Sequence, residues 1–241
     1  MERANLKLYV VVVLLVIVLP IIYQRFSSGG GGDEHQNVSN SAVETTITDT
    51  YQCFENRNEL KIAVDQYMDE DCPNNKGCKV SKTYGYPINS WCTRDINDMS
   101  ELFDSMENFN EDISSWDTGN VTSMYGMFYK ASSFTGDLNH WNVSLVENMR
   151  SMFNGASLFS SNLNNWDTQN VKTMKYMFMD AFSFNGNISS FNTSSVTDMD
   201  SMFSSAYMFS QDISGFDVSS VTNMFQVSIK LIFVLPLYLW V

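Results

Sequence analysis

Apolar positions along this chain recur at a fixed interval. From Met99 to Asn223 the pattern repeats every 25 residues without an insertion, opened in turn by Met99, Met124, Met149, Met174 and Met199. Three residues on stand Leu102, Met127, Met152, Met177 and Met202, each followed by a Phe. An Ala column (Ala131, Ala156, Ala181, Ala206, with Met106 in the first unit) and a second Phe column (Phe109 to Phe209) come next. Ile or Leu, then Trp or Phe, then Val complete each unit. A constant period of this size marks an array of stacked units. One unit cannot bury its apolar side alone, so the columns become continuous ribs of a shared core.

Within a unit, Val121, Met124, Met127, Phe128 and Ala131 have the spacing of one face of a short helix. Gly136-Asp137 reads as a turn, and Leu138, Trp141 and Val143 alternate with polar residues as a short strand does. The expectation is an α/β repeat of five strand–turn–short-helix units over residues 99–223. At one strand spacing of roughly 4.8 Å per unit, five units would stack to about 24 Å.

Residues 51–98 read as an N-terminal cap. Glu55–Glu70 has helical spacing, and Ile88 and Trp91 stand one period before Ile113 and Trp116, as a degenerate half-repeat at an exposed end would. All four cysteines, Cys53, Cys72, Cys78 and Cys92, are here. Two disulfides are expected, with three possible pairings. The short loop between Cys72 and Cys78 favours Cys72–Cys78 with Cys53–Cys92. A zinc site is the rival, although the spacings match no CxxC knuckle.

Upstream, residues 1–26 carry an apolar run, Leu8–Tyr23, with Arg3 and Lys7 before it and Arg25 after. Large residues follow it where a cleavage site needs small ones, so a signal-anchor is expected in preference to a cleaved signal peptide. The basic residues then place the remainder outside, as a single-pass membrane protein with an extracellular C-terminal region; secretion is the alternative. Residues 27–50 form a flexible Gly/Ser/Asn-rich linker. In residues 224–241 the period breaks at Val227 and Ser228, and an apolar tail follows. Three readings stand for it: a truncated or mis-spliced frame, a GPI signal, or a segment covering the end of the stack.

Two polar columns are as regular as the apolar ones: Asp112, Asp137, Asn162, Asn187, Asp212 and Asp117, Asn142, Asp167, Asn192, Asp217. They read either as a ladder of oxygen ligands for Ca²⁺ or as side chains bonded to the backbone at each corner. Neutral Asn at alternating places favours the second, and no metal site is assigned. Five N-glycosylation sequons begin at Asn37, Asn120, Asn142, Asn187 and Asn192. A repeat rich in Asn, Ser and Thr also produces sequons by chance. His35 and His140 share no ligand spacing.

Net charge is −13, and the array holds 14 Asp/Glu against 4 Lys/Arg. That balance excludes a nucleic-acid partner, which needs a basic footprint. No phosphate loop, HExxH, GxSxG or Cys/His pair with a partner occurs. No catalytic residue and no cofactor site is assigned, and an enzyme is not expected.

Units such as Phe109-Asn110-Glu111-Asp112-Ile113-Ser114-Ser115-Trp116-Asp117-Thr118, followed by Val121-Thr122-Ser123-Met124 and Met127-Phe128, resemble the 25-residue repeats of BspA-type leucine-rich-repeat surface proteins. That family is also known as a mycoplasma-lipoprotein repeat of unknown function. The resemblance covers roughly residues 55 to 225. It implies an extracellular leucine-rich-repeat-like solenoid, with binding or adhesion roles and no catalytic residues. The expected function is therefore a membrane-anchored or secreted repeat protein presenting a surface to a protein or glycan ligand. A calcium-dependent structural or cell-wall element is the alternative. Ser114-Ser115, Asn139-His140 and Asn164-Asn165, exposed between columns, are the expected contact positions.

Overall fold

The computed structural model describes residues 51–227. The segments expected as anchor and linker, 1–26 and 27–50, the sequon at Asn37 and the tail beyond Val227 lie outside the described residues.

Two helices occur in the cap. Helix α1, Arg57–Asp69, starts at Asn56, whose side chain accepts from Glu59 N–H. It buries Leu60, Ala63, Val64 and Tyr67, the one-faced stripe that its spacing dictates. A six-residue helix, α2, Lys79–Tyr84, follows, and its Tyr84 ring stacks on Phe54 at 4.1 Å.

The array itself contains neither helix nor strand. The expected α/β leucine-rich-repeat-like solenoid of strand–turn–short-helix units is therefore incorrect. The steps of three between apolar columns are instead tight turns, apart from the Val–Met step, whose Met N–H leaves for the next coil. Met127 N–H donates to Met124 O, Ala131 to Phe128 O, Phe134 to Ala131 O, Trp141 to Leu138 O and Val146 to Val143 O. Residues i and i+3 of such a turn both face inward, which reproduces the helical spacing without a helix. Other N–H groups leave the unit: those of Met124, Gly126, Phe128 and Lys130 donate to Asn148, Arg150, Met152 and Asn154 carbonyls of the next coil. The same four bonds recur from coil to coil as far as Val227, except that the last coil has three. Isolated parallel bridges link Asp98, Ser123, Asn148, Thr173, Asp198 and Asn223 in a column. Backbone groups that a helix would satisfy internally are satisfied between coils.

This geometry needs left-handed corners. Glu101 and Ser105, Gly126 and Lys130, Ser151 and Gly155, Tyr176 and Asp180, and Ser201 and Ser205 all have φ between 53° and 74°. Side chains that lack glycine's freedom cost roughly 1–2 kcal/mol there. Gly126→Ala, at φ 56° with room for a methyl group, is therefore expected to lower stability by about 1 kcal/mol, measurable by urea unfolding.

The core is aromatic. Phe103, Phe128, Phe153, Phe178 and Phe203 stack with centroids 5.3, 5.4, 5.6 and 5.6 Å apart. A second stack, Phe109 to Phe209, runs beside it, each ring 3.8–4.2 Å from its neighbour in the first. The Trp116, Trp141 and Trp166 indoles donate back to Ile88, Ile113 and Leu138 carbonyls. Buried Thr93, Thr118, Thr168 and Thr193 hydroxyls donate forward to Asp117, Asn142, Asn192 and Asp217 carbonyls. Each coil is thus tied to the next by backbone and ring, and by a hydroxyl except where Val143 takes the Thr position.

Among the described residues, no helix is long and apolar enough to cross a membrane. The single-pass assignment is withdrawn: the α-helices among the described residues are 13 and 6 residues long, below the ~20 residues that a span requires.

Candidate functional site: an aromatic and cationic face

The disulfides join Cys53 to Cys92 and Cys72 to Cys78, and no described cysteine is free. The Cys72 and Cys78 sulfurs lie close to the Glu70 carboxylate, but both are consumed by their bond to each other, which sets aside the zinc reading. Glu70 accepts instead from Gln66 and from Lys79 N–H, and these bonds hold its pKa below the usual carboxylate value.

The Asx columns act on the backbone. Asp112, Asp137, Asn187 and Asp212 accept from the N–H two residues on, as do Asp117, Asn142, Asp167, Asn192 and Asp217. Asn162 accepts from Asn187 N–H of the following coil. Such turns use the side-chain oxygen whether it is charged or neutral, which accounts for the mixture of Asp and Asn. Hydrogen bonds from Ser214 hold the Asp212 carboxyl low, and those from Ser219 do the same for Asp217. Their contribution to stability is present above the unfolded value of 3.8 and is lost as pH falls through the lower folded pKa. Carbon-detected NMR titration should show both midpoints below 3.8.

The positions expected to make contacts form one corner of the stack. There Ser115 N–H donates to Asn89 and Asn165 N–H to Asn139, so part of their polarity serves the corner itself. Of the sequons, Asn120, Asn142 and Asn192 are exposed and Asn187 is half-buried. The Asn120 amide donates to the Arg94 carbonyl.

A different face concentrates the unusual chemistry. The segment of linked turns that begins each coil exposes residues between its buried columns. One column reads Tyr125 and Arg150, both exposed, then half-buried Lys175 and buried Asp200; the backbone holds it in register through bonds from Gly126, Ser151 and Tyr176 N–H to Arg150, Lys175 and Asp200 carbonyls. Tyr176, Tyr129 and Lys130 stand beside it, and a β-carbon built on Gly126 would lie 3.8 Å from that of Tyr129. Three of the array's four basic residues and three of its four tyrosines occupy this face.

Its charges are arranged unevenly. Lys175 bonds to Asp200 at 2.8 Å, which raises the Lys175 pKa; burial opposes the Asp200 carboxylate, yet the bonds from Lys175 and Ser201 keep its pKa low. At the cap, Arg57 donates to Ser100 O at 2.7 Å and faces Glu101 at 3.5 Å. Between these satisfied ends, the Arg150 guanidinium lies over the Tyr176 ring at 5.8 Å and Lys130 over Tyr129 at 5.1 Å. Among the described residues neither has a carboxylate partner. Both are exposed, as is Tyr125. Tabulating basic residues and tyrosines by column would have found this face from the sequence, as it found the apolar ribs.

Three overlapping segments, 48–159, 74–181 and 137–230, match the family model described as "Mycoplasma protein of unknown function, DUF285". No curated protein and no solved structure matches the chain.

Proposed function

The chain belongs to the family described as Mycoplasma protein of unknown function, DUF285, and on that premise we propose that it is a surface recognition protein, presenting the flank of its stacked coils to a protein or glycan ligand. The observation that carries this reading is the face around Arg150: exposed Tyr125, half-buried Tyr129 and Tyr176, and unpaired cations gathered on an acidic array. Aromatic and Arg side chains of this kind contribute most of the energy at recognition surfaces. Kinship with the BspA-type surface repeat proteins is part of the same reading. Two disulfides support an oxidising compartment, and the exposed sequons at Asn120, Asn142 and Asn192 are offered as glycan attachment points. The reading is non-catalytic and involves no nucleic acid.

The calcium-held alternative is disfavoured by the Asx oxygens already spent on backbone turns. The test is binding of the full chain, and of a triple variant Tyr125→Ser, Arg150→Ser, Tyr176→Gly, to arrays of glycans and extracellular proteins. Signals present for the chain and lost in the variant support the proposal. Equal signals for both overturn this face as the recognition surface.

A further inference from the structure

We infer that the face around Arg150 takes an oligosaccharide bearing a single carboxylate, with Arg150 holding the carboxylate and sugar rings lying on the flanking tyrosines. This deepens the recognition reading and rests on it. Four observations narrow the ligand class.

The first is charge. Arg150 and Lys130 are unpartnered cations on neighbouring coils, whereas Lys175 is neutralised by Asp200 and Arg57 faces Glu101. Beyond them stand Asp98, Glu101 and Asp104 on one side and Asp180, Asp198 and Asp200 on the other. An isolated negative charge fits the centre. An extended polyanion would meet three carboxylates at each end, against one further unpaired cation, Lys172, beside Asp198.

The second is the surroundings of the charge. Tyr125 precedes Arg150 by one coil and Tyr176 follows by one, so each lies roughly one 4.8 Å coil spacing away. A pyranose ring has about that reach. Its C–H face suits an aromatic ring, and its hydroxyls suit side-chain amides. Asn148 and Asn154, on the same coil as Arg150, have amide N–H groups without a partner among the described residues.

The third is what the face lacks for a peptide. Its backbone N–H groups are spent alternately on the next coil and on bonds within their own coil, so the described face offers no free edge to which a strand could add. The residues behind it, Met124, Met127 and Met152, are fully covered, and an apolar anchor would find no pocket. An acidic peptide also alternates its side chains at about 6.6–6.8 Å along one face, longer than the coil spacing.

The fourth is the backbone at Tyr176, which holds φ 59°, a left-handed conformation that a tyrosine adopts only at a cost. The ring that Arg150 and Lys175 both approach is thus kept on this face at the expense of backbone strain.

The experiment is an NMR titration of the full chain with sialyllactose, lactose, a short polyglutamate and a heparin oligosaccharide. Two single variants accompany it, Arg150→Ser and Tyr176→Gly. Arg150 is exposed and makes no side-chain hydrogen bond among the described residues, and glycine relaxes the strained corner, so both variants are expected to fold. The expected result is saturable binding of sialyllactose, at least tenfold weaker for lactose and for heparin, weakened about tenfold by each variant, and reduced by salt. Lactose binding as well as sialyllactose, or tighter binding of heparin or polyglutamate, overturns the carboxylated-sugar assignment; if that binding is lost in the variants, the recognition reading stands. If no probe, and no ligand from the glycan and protein arrays, separates the chain from the variants, both fall.

Discussion

Phe153→Ala is expected to cost about 3–5 kcal/mol of unfolding free energy, the range for emptying a buried aromatic site. Its ring is fully buried in the middle coil. It touches Phe128 and Phe178 of the coils on either side and Phe159 of its own, at 5.4, 5.6 and 3.9 Å. Collapse cannot fill the space, because the backbone around it is fixed by bonds from Phe128 to Met152 and from Phe153 to Met177. Phe209→Ala should cost less. That ring meets Phe184 and Phe203 but has no described neighbour on its far side. In a stack whose units are stabilised by their neighbours, the same truncation removes two interfaces from a central coil and one from a terminal coil. Urea midpoints with unchanged slopes would give both losses; equal losses would contradict neighbour coupling through the Phe ribs.

The period and the core columns were legible in the chain because stacking has one register, and the short loop favoured one of three cysteine pairings. Residues 25 apart fall into contact once coils stack, and the six-residue Cys72–Cys78 separation leaves its partners near each other. The secondary structure was not legible. Met124, Met127, Phe128 and Ala131 satisfy the spacing of a helix and of linked turns equally, and the difference lies in where the N–H groups go. Nor do the corners announce themselves. Two of the ten repeat corners are glycine, and residues such as Glu101, Lys130 and Tyr176 have no preference for positive φ. The signal against a helix is the density of Ser, Asn and Asp between the columns, residues that compete for backbone bonds. The Arg150 face was hidden for a related reason: attention to the invariant columns passes over the positions where the units differ, and Tyr125, Arg150 and Lys175 share a column while differing in type.

The disulfides should separate by loop size. Removing Cys53–Cys92 through Cys53→Ala with Cys92→Ala is expected to cost about 4 kcal/mol, and removing Cys72–Cys78 in the same way about 2 kcal/mol, from the chain entropy that each closure takes from the unfolded state. The sequence separations are 39 and 6 residues. Folded-state contacts favour the same order. Cys53 forms a parallel bridge with Cys92, and Phe54 N–H donates to Cys92 O. That places the Phe54 ring against Tyr84 and Trp91, with the Trp91 ring stacked in turn on Trp116 of the first coil. Losing this bond therefore loosens the segment that begins the aromatic stack, whereas Cys72–Cys78 staples a turn already bonded through Asn75 and Asp71. Urea denaturation of the two double variants, with the disulfide-intact parent as reference, measures both. A larger loss at Cys72–Cys78 would mean that the short turn, and not the closure of the cap onto the stack, is what the disulfides hold.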